Sequence, residues 1–118
     1  MPNNSHKGRA VELRLTDILQ SIQNIRKFTK DMDYDGFLKD DKTFIAVWKC
    51  FEIIGEAVKG LPKDAKTRHP EIDWKAIVGM RDKLSHEYFG VSHEILWTTI
   101  SRKLPGLEKA VKELLGRS

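Results

Sequence analysis

The chain has 118 residues, 40% hydrophobic and 32% charged, with 8 Gly and 4 Pro and a formal net charge of +4. That length suits one domain with a single core, and the composition excludes a disordered or fibrous chain. A net charge spread over 21 Lys and Arg permits a nucleic-acid partner without demanding one.

The N-terminal run MPNNSHKGR is polar and slightly basic, so residues 1–9 are expected to form a flexible arm ahead of a single helical domain over residues 10–118. It lacks the apolar stretch of a secretory signal. No apolar run approaches the roughly 20 residues that span a bilayer, so a cytoplasmic location without membrane contact is expected.

From Val11 the apolar residues Val11, Leu15, Ile18, Ile22, Ile25 and Phe28 follow steps of four and three, which predicts a long helix over about residues 9–31. The Asp-rich stretch MDYDGFLKDDKT then favours a turn, with Asp40 or Asp41 capping the next helix. The stripe of that helix is Phe44, Val47, Phe51, Ile54, Val58 and Leu61, and Gly60 with Pro62 supplies its stop signal. Gly55 lies inside it. A glycine costs about 1 kcal/mol against alanine in a helix interior, so IIGEA predicts that another helix packs closely there.

The polar segment PKDAKTRHPEID reads as the longest connection, with His69 solvated. Asp73 is a plausible cap for a helix opening at Trp74 and continuing through Ile77, Met80 or Arg81, Leu84 and Tyr88, with Gly90 ending the pattern. Ser92 and Glu94 carry helix-start chemistry for a last segment through Leu96, Ile100, Leu104, Leu107, Val111 and Leu114, which Pro105 should kink or break. His6 and His93 are read as surface residues. Cys50 is the only cysteine, so one chain can form no disulfide and no cysteine-based zinc site, and an inert buried thiol fits its apolar helical setting. With no strand alternation and no repeat, the economical fold is all-α, an up-and-down bundle of four to five helices.

The stretch MRDKLSHEYFG sets Arg81, His86 and Tyr88 at fixed offsets. Five residues advance about 500° around a helix, so Arg81 and His86 would point about 140° apart, whereas Arg81 and Tyr88 share a face. One straight helix cannot focus Arg81 and His86 on one atom; either it distorts or ends near His86, or a symmetry mate supplies a second set. An arginine fork matches phosphate oxygens and a histidine exchanges protons near neutrality, the pair that RNA cleavage without metal requires. Spacing alone also describes an ordinary helix surface beside a core tyrosine.

The wider text adds to this. ILQSI, FEIIGEAVKGLP, IDWKAIVGMRDKLSHEYFGV and the final LW and LP pattern, in that order, resemble the HepT-like (DUF86) group of the HEPN superfamily over about residues 10–115. The motif of that family, R-x4-H-x-Y, is met by Arg81, His86 and Tyr88, with the polar Asp82 after the arginine as a supporting residue. The resemblance implies a HEPN-like homodimer and a toxin of a toxin-antitoxin system: a metal-independent endoribonuclease with no cofactor, Arg81 and His86 being catalytic on an RNA substrate. It also implies a cognate MntA-type nucleotidyltransferase antitoxin that uses ATP to attach AMP to Tyr88, adding bulk and negative charge two residues from His86. The alternatives are a non-catalytic binding partner of such a nucleotidyltransferase, which would share every one of these features, and a structural helical dimer.

Overall fold

The computed structural model describes residues 2–86 and 93–116, with side chains for 8–83 and 93–116. Every element among the described residues is a helix: α1 (Pro2–Thr29), α2 (Tyr34–Lys39), α3 (Asp41–Lys59), α4 (Lys63–Thr67), α5 (Trp74–His86), α6 (His93–Arg102) and α7 (Leu104–Leu114). None is long and apolar enough to cross a membrane. The all-α expectation holds, with two short helices added where connections were expected.

The 28 residues of α1 give a rod of about 42 Å, and helix begins at Pro2 rather than near residue 9. Leu15, Ile18, Leu19, Ile22 and Ile25 are buried along it, the expected stripe widened by one residue. Phe28 departs from that expectation: it is 39% exposed and lies outside the core. The chain turns at Asp31, whose φ of 61° is a left-handed conformation that a short polar side chain tolerates. Asp33 then accepts a hydrogen bond from the Gly36 amide at 2.8 Å and starts α2, so MDYDGFLKDDKT holds a helical turn and a half rather than a turn alone. Phe37, fully buried, pins α2 by packing edge-on to Phe44 and against Trp97.

Asp40 is the cap of α3. Its carboxylate accepts from the Thr43 amide at 3.0 Å and from the Thr43 hydroxyl at 2.8 Å. All six residues of the expected α3 stripe are buried, joined by Cys50 and Ala57 on the same side. Burial raises the Cys50 thiol pKa, which fits an inert thiol. Helix α3 packs against α1, α5, α2 and α6, and its residues sit at the middle of one continuous core. Each fully buried aliphatic or aromatic side chain there contributes about 1.5–3 kcal/mol, so α3 is the element the domain can least lose.

His69 is a correction to the sequence reading. It is buried rather than solvated, because the segment expected to be an open connection folds into α4 and packs Ala65 and His69 inward. Its Nδ1 lies 3.0 Å from a Glu71 carboxylate oxygen, its Nε2 lies 3.7 Å from Glu113, and its carbonyl accepts from the indole N–H of Trp74 at 3.1 Å. Asp73 caps α5 as expected, accepting from the Ala76 amide at 3.0 Å. Pro105 divides the last segment: α6 ends at Arg102, and the proline takes the first turn of α7, where its missing N–H leaves no bond unmade. An ion pair between Arg26 and Glu108 ties α1 to α7.

His93 is a second correction. Glu94 occupies the first turn of α6 as expected, but the His93 ring stacks on Phe44 with centroids 4.0 Å apart and meets Phe37 edge-on. Its Nε2 is buried and has no hydrogen-bond partner among the described residues. Ser92, Gly90 and the side chain of His6 lie outside the described residues.

The Asp40 cap has a measurable pH signature. The Thr43 amide, then its hydroxyl, hold the Asp40 carboxyl below its ordinary value of 3.8. A depressed folded-state pKa gives stability that is complete above pH 3.8 and is lost as pH falls through the lowered value. Asp40→Asn, which keeps the acceptor without the titration, is expected to flatten the acid-side decline in Tm when melting is followed by circular dichroism between about pH 2 and pH 6. An unchanged acid limb would show that Asp40 does not contribute.

Candidate functional site at the contact between α3 and α5

Helix α5 carries three of the four residues singled out by the sequence motif, Arg81, Asp82 and His86. Ile77 and Met80 face a small apolar cavity of about 30 Å³ that they share with Phe51, Ile54 and Leu104. Arg81, one position on, turns toward Gly55 of α3. A methyl group built on Gly55 would lie 2.1 Å from the Arg81 Cβ, 2.7 Å from its Cγ and 3.4 Å from its Cα. The missing side chain of Gly55 is therefore the seat of Arg81, and the close approach expected from a glycine inside α3 takes place at the arginine of the motif.

The far end of Arg81 meets two carboxylates. Its Nη2 forms an ion pair with a Glu56 carboxylate oxygen at 2.8 Å, and its Nη1 donates a hydrogen bond to Asp82 at 3.0 Å. The side chain is 27% exposed, Glu56 and Asp82 more so. Hydrogen bonding to Asp82, followed by the charges of Glu56, Asp82 and Glu52, raises the guanidinium pKa above its already high ordinary value. The group is a permanent cation. It borders an open groove of about 290 Å³ whose other charged walls are Arg14, Asp17, Lys49, Glu52 and Glu56.

Arg81 and Asp82 are thus brought together, and Glu56 joins them. The backbone of His86 belongs to α5, five residues beyond Arg81, which puts the two about 140° apart around a regular helix axis. The side chain of His86 and the whole of Tyr88 lie outside the described residues. Sequence reasoning missed Glu56. Its only trace in the sequence is its place directly after the helix-interior glycine of IIGEA.

Chemically the arrangement is a permanently charged fork, partly open to solvent and fixed in direction, on a helix that also carries a histidine. Such a fork can bind an oxyanion.

Residues 18–114 match the family described as "Ribonuclease HepT-like". Among similar chains, "Putative RNase MJ0127" of Methanocaldococcus jannaschii is 46% identical over 101 residues, covering 86% of this chain and 84% of the relative. "Putative RNase TTE0752" of Caldanaerobacter subterraneus subsp. tengcongensis is 48% identical, covering 86% and 90%. "Probable ribonuclease HepT" of Thermococcus cleftensis is 45% identical, covering 85% and 91%. No solved structure gives a significant match.

Gly55→Ala tests the seat. Alanine should gain about 1 kcal/mol of helix propensity, but the clash at Arg81 forces α3 and α5 apart at about 1–3 kcal/mol, so a net loss of roughly 1 kcal/mol is expected by urea denaturation. Gly79→Ala, in α5 with open space around it among the described residues, should instead stabilise. Equal gains for both would refute the close approach.

Proposed function

This chain belongs to the ribonuclease HepT-like family, and we propose on that premise that it is a metal-independent endoribonuclease and the toxin of a toxin-antitoxin pair, acting as a homodimer. The observation that carries the reading is the position of Arg81, the first residue of the R-x4-H-x-Y run, with its guanidinium fixed at the surface beside a groove.

In this mechanism Arg81 binds the scissile phosphodiester and balances charge that develops on its oxygens. One His86 imidazole takes the proton of the ribose 2′-hydroxyl. The 2′-oxygen attacks phosphorus, the bond to the 5′-oxygen breaks, and a second His86, in its imidazolium form, protonates the departing oxygen. The products are a 2′,3′-cyclic phosphate and a free 5′-hydroxyl. Five residues of regular helix separate Arg81 and His86 by about 140°, and a two-fold pairing of α5 helices would let the two groups come from different copies. Asp82 supports the arginine by accepting from its Nη1.

Regulation follows from Tyr88. An MntA-type nucleotidyltransferase partner transfers AMP from ATP to the phenol oxygen, which attacks the α-phosphorus as pyrophosphate leaves. The added phosphate stands two residues from His86 and repels the RNA backbone. The nuclease itself uses no cofactor in this scheme, and the cytoplasm, where RNA and ATP are at hand, is its proposed place of action.

The test is cleavage of total RNA by the purified chain, alone and after incubation with an MntA-type partner and ATP, with intact mass of the Tyr88 peptide as second readout. His86→Ala is expected to lower cleavage by about 100-fold or more, and activity should fall as Tyr88 gains AMP. Wild-type cleavage by His86→Ala would remove the nuclease assignment. Adenylylation of Tyr88 without any His86-dependent cleavage would favour a non-catalytic partner of the nucleotidyltransferase.

A further inference from the structure

We propose that Glu56 is a positioning residue for Arg81: by holding Nη2 from a different helix, it fixes the plane of the guanidinium for the phosphate. The inference rests on the nuclease reading above.

A guanidinium has five N–H donors; one donates to Asp82 from Nη1 and Nη2 is ion-paired with Glu56, and among the described residues the remaining donors have no hydrogen-bond partner. The two clamps differ. Asp82 adjoins Arg81 on α5 and moves with it, so it cannot register the fork against the rest of the domain. Glu56 stands on α3, next to the glycine that admits the base of Arg81. Gly55 and Glu56 thus meet the two ends of one side chain from one helix. A catalytic arginine displaced by about 1 Å can cost on the order of 100-fold in rate, so registration of this kind has a direct kinetic consequence.

Two other roles are open to a carboxylate in this place, and both predict different behaviour. Glu56 could serve stability, but an ion pair whose carboxylate is 61% exposed contributes little to folding. It could compete with phosphate for the fork, adding to the charge of Glu52 and Asp82 around Arg81. A competitor lowers both affinity and turnover, whereas a positioning residue lowers affinity slightly through its charge and raises turnover. The sign of the change in kcat separates them.

The experiment measures kcat, KM and Tm for cleavage of a short single-stranded RNA by the full chain and by Glu56→Ala, Glu56→Gln and Arg81→Ala. Positioning predicts that Glu56→Ala lowers kcat by roughly 10–100-fold with KM unchanged or lower and Tm nearly unchanged, and that Glu56→Gln, which keeps an acceptor oxygen, recovers most of kcat. An increase in kcat/KM for both Glu56 variants would establish competition and overturn the proposal, as would wild-type kcat in Glu56→Ala. A fall in kcat that merely tracks loss of folded protein would also overturn it. Wild-type cleavage by Arg81→Ala would bring down the nuclease reading and positioning with it, whereas loss in Arg81→Ala beside wild-type Glu56→Ala overturns positioning alone.

Discussion

The contact between Gly55 and Arg81 is the constraint on which the candidate site depends. Two helices ordinarily pack 8–10 Å apart because side chains separate them, and removal of one Cβ lets the backbones draw together at a single point. Here that point coincides with a long cationic side chain whose Cβ would otherwise lie 2.1 Å from a methyl group. The arginine therefore does not project freely into water from an exposed helix face. It lies along the joint between α3 and α5, and its direction is set by packing before any hydrogen bond is made.

Packing at that joint requires α3 itself to be immobile. Its stripe from Phe44 to Leu61 is buried in the same core as Leu15 to Ile25 of α1 and Leu104 to Val111 of α7, and the Asp40 cap closes its first turn. Pro105 contributes by dividing the last segment, which allows α6 to cover Phe37 with Trp97 while α7 turns back along α1. The ends of α4 and α7 are drawn together around His69, between Glu71 and Glu113. Stability is thus concentrated on the faces of α3 that point inward. The remaining face, with Lys49, Glu52, Ile53 and Glu56, borders the groove.

Much of this was legible in the sequence, for reasons that differ by element. The long stripes of α1 and α3 declare themselves because each has three or more turns of unbroken period, and Asp40, Asp73 and Pro105 act through local chemistry that needs no tertiary partner. Gly55 was legible because its penalty in a helix demands a compensating contact. By contrast, α2 and α4 are too short to show a period; Phe37 and Ala65 make them helical by anchoring them to the core. His69 and His93 read as polar residues in polar text, and only the fold reveals that carboxylates and aromatic rings surround them. Phe28 erred the other way, continuing a pattern past the point where another helix covers it. Of the site, Arg81 and Asp82 were legible from the motif, while Glu56 was hidden because its partner is 25 positions away along the chain.

That separation in sequence bears on how an arginine can be both bound and available. A guanidinium satisfied only by neighbours on its own helix would follow every fluctuation of that helix, and one left in water would sample many rotamers, losing orientation each time a ligand arrives. A carboxylate from a second element removes that freedom at the time of folding rather than at the time of binding. The accompanying negative charge opposes an incoming phosphate, so the arrangement favours a ligand able to offer more than one point of attachment. A polymeric phosphodiester meets that condition in principle, having several phosphates, and Lys49 and Arg14 line the same groove as the fork.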